Sequence, residues 1–182
     1  MMTENATTNF RRVFITPTHP LQQSQILLCD VYIRYIRQVS PKVTGGATDA
    51  SSIGWGGVVN ASSGPFRAGG VFTQHWVSKH INIKEMYALY HVLRQFCTRY
   101  PDGLRRAQVF VHVDNQSVVG GFTRGRATDP ATHALLVQLF ELQVEHGFML
   151  TLKWIPTASN SVADAISRPS RDSIIRLRPS AF

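Results

Sequence analysis

The sequence predicts an α/β fold: a mixed five-stranded sheet, three strands antiparallel and then two parallel, with helices on both faces. Three observations predict it. Glycine-punctuated strand-like runs follow one another between residues 44 and 73. From residue 83 onward helical and strand-like segments alternate. Alternation of that kind favours parallel neighbours, whereas consecutive strands joined by short turns pair antiparallel. Finally, residues 108–113 form a short, nearly all-apolar, β-branched run, the composition of a strand buried on both faces.

The elements follow in order. Residues 1–42 read as a flexible lead-in plus a docking helix over 21–39, where Ile26, Leu27, Val31, Ile33 and Ile36 recur at helical spacing and Pro41 stops the pattern. The main domain spans residues 43–169. Its first strand covers 44–49; a second (55–60) and a third (66–73) flank the turn-rich Ala61-Ser62-Ser63-Gly64-Pro65. Residues 83–100 form a helix with the stripe Ile83, Met86, Tyr87, Tyr90, Leu93 and Cys97, ended by Pro101-Asp102-Gly103. After the strand at 108–113, Asp129 serves as N-cap and Pro130 as first residue of a helix that runs to His146 and stops at Gly147. A last strand covers 148–155 and a last short helix 161–167, leaving 170–182 as a C-terminal tail.

Composition narrows the function classes. At 43% hydrophobic and 16% charged, the 182-residue chain is globular in character. Lys and Arg total 19 against 11 Asp and Glu, a net +8, and only Lys42, Lys79, Lys84 and Lys153 are lysines. The excess is therefore arginine, whose planar fork suits phosphate. Charge alone does not separate a nucleic-acid partner from a merely basic soluble protein. Cys29 and Cys97 are too few for a metal cluster and sit in apolar helical stretches, so buried reduced thiols are expected. With no signal-peptide core and no apolar run of membrane length, an intracellular protein is expected.

The scarce acids carry the chemistry. Glu4, Asp30, Asp102, Asp129, Glu141, Glu145 and Asp172 have ordinary places in tails, turns, caps or helix faces. Four others do not. Asp49 ends the first strand, Asp114 ends the most apolar one, Glu85 interrupts the apolar start of the long helix, and Asp164 lies in the small-residue helix, with Val162 and Ile166 expected to pack on the face opposite it. Burying unpaired carboxylates is costly. Asp49 and Asp114, at the ends of adjacent strands, would lie side by side, and like charges that close call for a cation. Oxygen-only ligands suit Mg²⁺ or Mn²⁺. Each residue has an ordinary alternative. Asp49 could cap a turn, Asp114 could cap a short helix over 115–119, Asp164 could favour a helix N-terminus, and Glu85 could pair with Lys84.

From about Thr44 to Pro169 the residues resemble the ribonuclease H domains of reverse-transcriptase-bearing retroelements. Thr48-Asp49-Ala50-Ser51 with Gly54-Trp55-Gly56-Gly57 resembles their first strand and hairpin, and Asn82-Ile83-Lys84-Glu85 and Val113-Asp114-Asn115 match their second and third acids. The stretch Trp154-Ile155-Pro156 with Asn160-Ser161-Val162-Ala163-Asp164-Ala165-Ile166-Ser167-Arg168 is similar to the ending found in DIRS-like (tyrosine-recombinase) retrotransposons and, more distantly, in pararetroviral polymerases. The resemblance implies a ribonuclease H-like fold and endonucleolytic cleavage of the RNA strand of RNA–DNA hybrids, giving 5′-phosphate ends. It implies two Mg²⁺ (or Mn²⁺) ions held by Asp49, Glu85, Asp114 and Asp164 as catalytic and metal-binding residues. Ala50, Ser51, Asn82 and Asn115 are expected at the hybrid, the first two through backbone that reads 2′-hydroxyls, and Arg124 and Arg126, in a loop, at phosphates. A reverse transcriptase domain is the expected polyprotein partner. Two departures stand out. Residues 156–160 lack the histidine many relatives carry there, and no Tyr-x-Asp-Asp motif is present. A DNA-cutting enzyme of the same fold and a domesticated, non-catalytic binding or scaffold module are the competing readings.

Overall fold

The computed structural model describes residues 42–61 and 64–168; the expected helix over 21–39, the C-terminal tail and Cys29 lie outside them. Strand β1 (Lys42–Ala50) pairs antiparallel with β2 (Gly54–Ala61), which pairs antiparallel with β3 (Gly64–Val71). On its other edge β1 runs parallel to β4 (Ala107–Val113), and β4 parallel to β5 (Met149–Trp154). The sheet order is thus β3-β2-β1-β4-β5, the mixed topology expected from the order of strands and helices.

Between β3 and β5 the chain forms α1 (Gln74–Val77), α2 (Ile81–Arg99), α3 (Gln116–Arg124) and α4 (Pro130–His146). A 3₁₀ turn (Thr157–Ser159) and α5 (Ser161–Ser167) follow β5. Helices α1 and α3 add to the order read from the sequence. Helix α3 forms because the Asn115 side chain accepts from the Ser117 and Val118 N–H groups while Val118 and Phe122, four apart, are buried. The cap is therefore Asn115, not Asp114, and Arg124 ends a helix where a loop was expected. Helix α4 starts as expected: Asp129 accepts from the Thr132 N–H at 2.8 Å, Pro130 follows, and Gly147 closes the helix at φ 70°, a left-handed geometry that glycine adopts without strain.

Helix α2 buries a wider face than its stripe suggested. Met86, Ala88, Leu89, Val92, Leu93 and Phe96 are all fully buried, because the helix packs on the sheet and against α4 at once. Tyr87 and Tyr90 of the expected stripe are only partly covered, and Cys97 is a buried free thiol, pushed up to about 12 by that burial. Side-chain alternation along β1 separates the two faces. Thr48 lies on the α2 face, where the facing Gly57 leaves room for Thr48 and Val92. Asp49 is opposite Gly56, whose face carries α5. A Cβ on Gly56 would collide with Ile166, and one on Gly69 would stand 2.7 Å from its Cγ2, so this cross-strand glycine pair forms the seat of α5. Among the described residues no helix is long and apolar enough to cross a membrane.

Candidate metal centre

The parallel register decides where the first and third acids meet. Ala47 is level with His112, so two residues further along Asp49 and Asp114 stand side by side at the ends of β1 and β4. Helix α2 enters over this edge and brings Glu85 to the same place. Asp49, Glu85 and Asp114 each offer a carboxylate oxygen, and the three oxygens lie within 4.8 Å of one another. Asp49 and Glu85 are only 4% and 3% exposed.

Such proximity is electrostatically unfavourable, and the acidities record it. Glu85 is pushed up to about 9, first by burial and then by the charges of Asp49 and Asp114. Asp49 is also raised, mainly by burial, with Asp114 and Asp164 adding to it while a hydrogen bond from Ser167 opposes. Glu85 Oε2 is buried without a hydrogen-bond partner. Lys84 gives no relief. Its ammonium turns away to the carbonyls of Ser52 at 2.8 Å and Val77 at 2.7 Å, so the expected alternative of a Lys84–Glu85 pair is not formed. A buried, oxygen-only, mutually repelling donor set with an unsatisfied oxygen fits a hard divalent cation.

Asp164 lies outside the group of three. Its Oδ1 accepts from Arg168 Nε at 2.9 Å and Nη2 at 2.7 Å, although it remains near enough to help raise the pKa of Asp49. The expected packing of Val162 with Ile166 is also absent: Val162 is 50% exposed. The sheet-facing residues of α5 are instead Ala163, Ile166 and Ser167, because the glycine seat admits Ile166 and the small Ala163 lies one turn behind it.

The expected hybrid contacts fall into two groups. Asn82 and Asn115 lie together beside the acids, the Asn115 amide donating to Asn82 Oδ1 at 2.9 Å. Ala50 is buried, and Ser51 is largely committed within the fold: its N–H donates to Gly54 O and its hydroxyl to Ser167 O at 2.7 Å. Arg124 and Arg126 are exposed. Three site residues escaped sequence reasoning. Trp154 donates from its indole to Asp114 O at 3.1 Å, Asn160 donates to Thr48 O at 3.0 Å, and Ser167 bonds Asp49 itself. The signal for Asn160 and Ser167 was their place four residues before and three after Asp164.

No family model matches the chain, and no curated protein sequence does. Solved structures do. Ribonuclease H1 from the halophilic archaeon Halobacterium salinarum NRC-1 superimposes with a TM-score of 0.55 at 22% identity, covering 68% of this chain and 93% of that one. A ribonuclease H1 isolated from compost by a metagenomic approach, solved in complex with an RNA/DNA hybrid, gives 0.56 at 17% identity over 68% and 91% of the two chains. The N-terminal ribonuclease H domain of a Mycobacterium tuberculosis protein gives 0.54 at 20% identity over 74% and 93%. At these identities the likeness is one of architecture, and the architecture of this chain is the ribonuclease H fold.

Proposed function

We propose that the chain is a divalent-cation-dependent endonuclease that hydrolyses the RNA strand of RNA–DNA hybrids. The observation that carries this reading is the convergence of Asp49, Glu85 and Asp114 within 4.8 Å, two of them nearly completely buried. Like charges buried together destabilise a fold, and the cations beside these three offset them only in part: the Lys84 ammonium turns away, and Arg168, hydrogen-bonded to Asp164, lowers the Asp49 value less than burial and the neighbouring acids raise it. A structural role gives no reason for that arrangement; holding a metal does.

Asp49, Glu85 and Asp114 would hold the cation, with Asp164 contributing from α5 to a second one. When bound, two such ions supply an activated water and neutralise charge at the scissile phosphate. The chain's own residues orient the strand. The Asn82–Asn115 pair offers amide groups beside the acids, suited to base edges and 2′-hydroxyls in a minor groove. With the Ser51 N–H and hydroxyl engaged internally, contacts from the turn after Asp49 fall to its remaining backbone groups. In the reaction a water oxygen bonds to phosphorus, the bond to the 3′ oxygen breaks, and that oxygen leaves with a proton, giving 3′-hydroxyl and 5′-phosphate ends. A neighbour in fold solved with an RNA/DNA hybrid supports the choice of substrate. The run from Asn160 to Arg168 supports an origin in a retroelement polyprotein, beside a reverse transcriptase.

Incubating the protein with labelled RNA–DNA hybrid, duplex DNA and duplex RNA, with and without Mg²⁺, tests this reading. Cleavage of the RNA strand of the hybrid only, and only with Mg²⁺, is expected. Cleavage of duplex DNA would favour a DNA-cutting relative of the same fold, and hybrid binding without cleavage would favour a domesticated scaffold.

A further inference from the structure

We propose that Ser167 is a positioning residue for Asp49, fixing the carboxylate that is to hold the metal. Ser167 is fully buried, and its hydroxyl donates to Asp49 Oδ2 at 2.5 Å. The Ser167 hydroxyl also lies 2.9 Å from the Asp164 carbonyl, one turn back in α5. One hydroxyl proton cannot serve both fully, and the shorter contact, to a carboxylate, is the stronger.

The serine is itself held in place. Its carbonyl accepts from the Ser51 hydroxyl at 2.7 Å, in the turn immediately after Asp49. At the other end of α5, Asn160 donates to Thr48 O, in the residue just before Asp49. Between them Ile166 is sunk against Gly56 and Gly69. The hydroxyl is thus anchored independently of the carboxylate it holds, and it fixes the torsion that aims Asp49. With Oδ2 engaged by Ser167, Oδ1 is the oxygen left for a cation. Arg168 offers a contrast. It grips Asp164 next door, but its side chain is 66% exposed, and an exposed ion pair constrains its partner weakly. Of the two adjacent residues, only Ser167 has the burial and the short bond that hold an acid in one orientation.

This inference rests on the metal-site reading, and its test separates the two. Mn²⁺ binding to the full chain, followed by the magnetic resonance of free Mn²⁺, is compared for wild type, Ser167→Cys and Ser167→Ala, with denaturant midpoints measured in parallel without metal. Loss of a hydrogen bond to a ligand typically costs 10- to 100-fold in affinity, so Ser167→Ala should bind Mn²⁺ about tenfold more weakly. Ser167→Cys, which keeps a weak donor, should fall between it and wild type, and carries the test alone if the alanine variant does not fold. A lowered midpoint with Mn²⁺ affinity unchanged in both variants would make Ser167 merely structural and overturn the proposal. Wild type that binds no Mn²⁺ would overturn the metal site itself, and this inference with it.

Discussion

The strand ends carrying Asp49 and Asp114 and the helix carrying Asp164 are held in opposite ways. Behind the first stand Met86, Leu89, Val92, Val109 and Leu150, all fully buried. Helix α5 has seven residues, and its attachment is the Ile166 seat plus the polar latches of Asn160 and Ser167. Three acids are therefore forced together on a framework stable enough to bear their repulsion, while the fourth rides on a small element and is neutralised by its own Arg168. The difference teaches where each kind of damage should appear. Changes at the glycine seat should act on α5 first, and changes of charge at the buried three should act on pH and metal response.

The largest effect is expected at the seat. Gly56→Ala puts a methyl group into Ile166 and into the backbone of α5, and overpacking of this kind costs about 1–3 kcal/mol. The variant should lose stability by that amount and lose hybrid cleavage as well. Adding Ile166→Ala should recover part of both. A double variant no better than Gly56→Ala by denaturation and cleavage would mean that α5 is not held by this seat.

A medium effect, counted per pH unit, is expected from Glu85. Its folded-state value near 9 lies above its ordinary 4.5, so between those pH values the folded protein binds the extra proton. Without metal, stability should therefore be fully present below about 4.5 and fall as pH rises toward 9, by at most ~1.4 kcal/mol per pH unit for one proton. Glu85→Gln should flatten that slope relative to wild type. Denaturant titrations across this range, with a chelator present, measure it; equal slopes would show that Glu85 is not held protonated. Because a cation displaces the same proton, Mg²⁺ should bind more tightly as pH rises.

The smallest effect is expected away from both regions. Arg124 and Arg126 are exposed, and each neutralised phosphate contributes about 0.9 to the salt slope of binding. Replacing both with alanine should lower the slope of log affinity for the hybrid against log salt by about 2. An unchanged slope would place the phosphate contacts elsewhere.

The same contrast explains what could be read from the sequence. Strands β1 to β5 and helices α2 and α4 were legible because turn-bounded strand runs, the β-branched run at 108–113, the Asp129-Pro130 start and the Gly147 stop are local signals. The meeting of Asp49 with Asp114 was legible because both end strands of the predicted parallel pair. Helices α1 and α3 were missed or cut short because four and nine residues carry little periodicity. The orientation of α5 was misjudged because Val162 and Ile166, four apart, look like one packed stripe. What decides it is a pair of glycines, Gly56 and Gly69, brought opposite each other only when β2 and β3 pair. The bond of Ser167 to Asp49 was hidden for a similar reason: proximity to Asp164 marks the serine, but Asp49 is distant in sequence.

Thermal melting of wild type and Asp114→Asn, each with and without Mg²⁺, tests most directly whether the carboxylates are gathered to hold a cation. Without Mg²⁺ the variant should melt at the same temperature as wild type or higher, since one of the repelling charges beside Asp49 and Glu85 is gone. With millimolar Mg²⁺ wild type should gain stability by mass action and the variant should gain little. A variant that melts lower without metal, and gains as much from Mg²⁺ as wild type does, would contradict it.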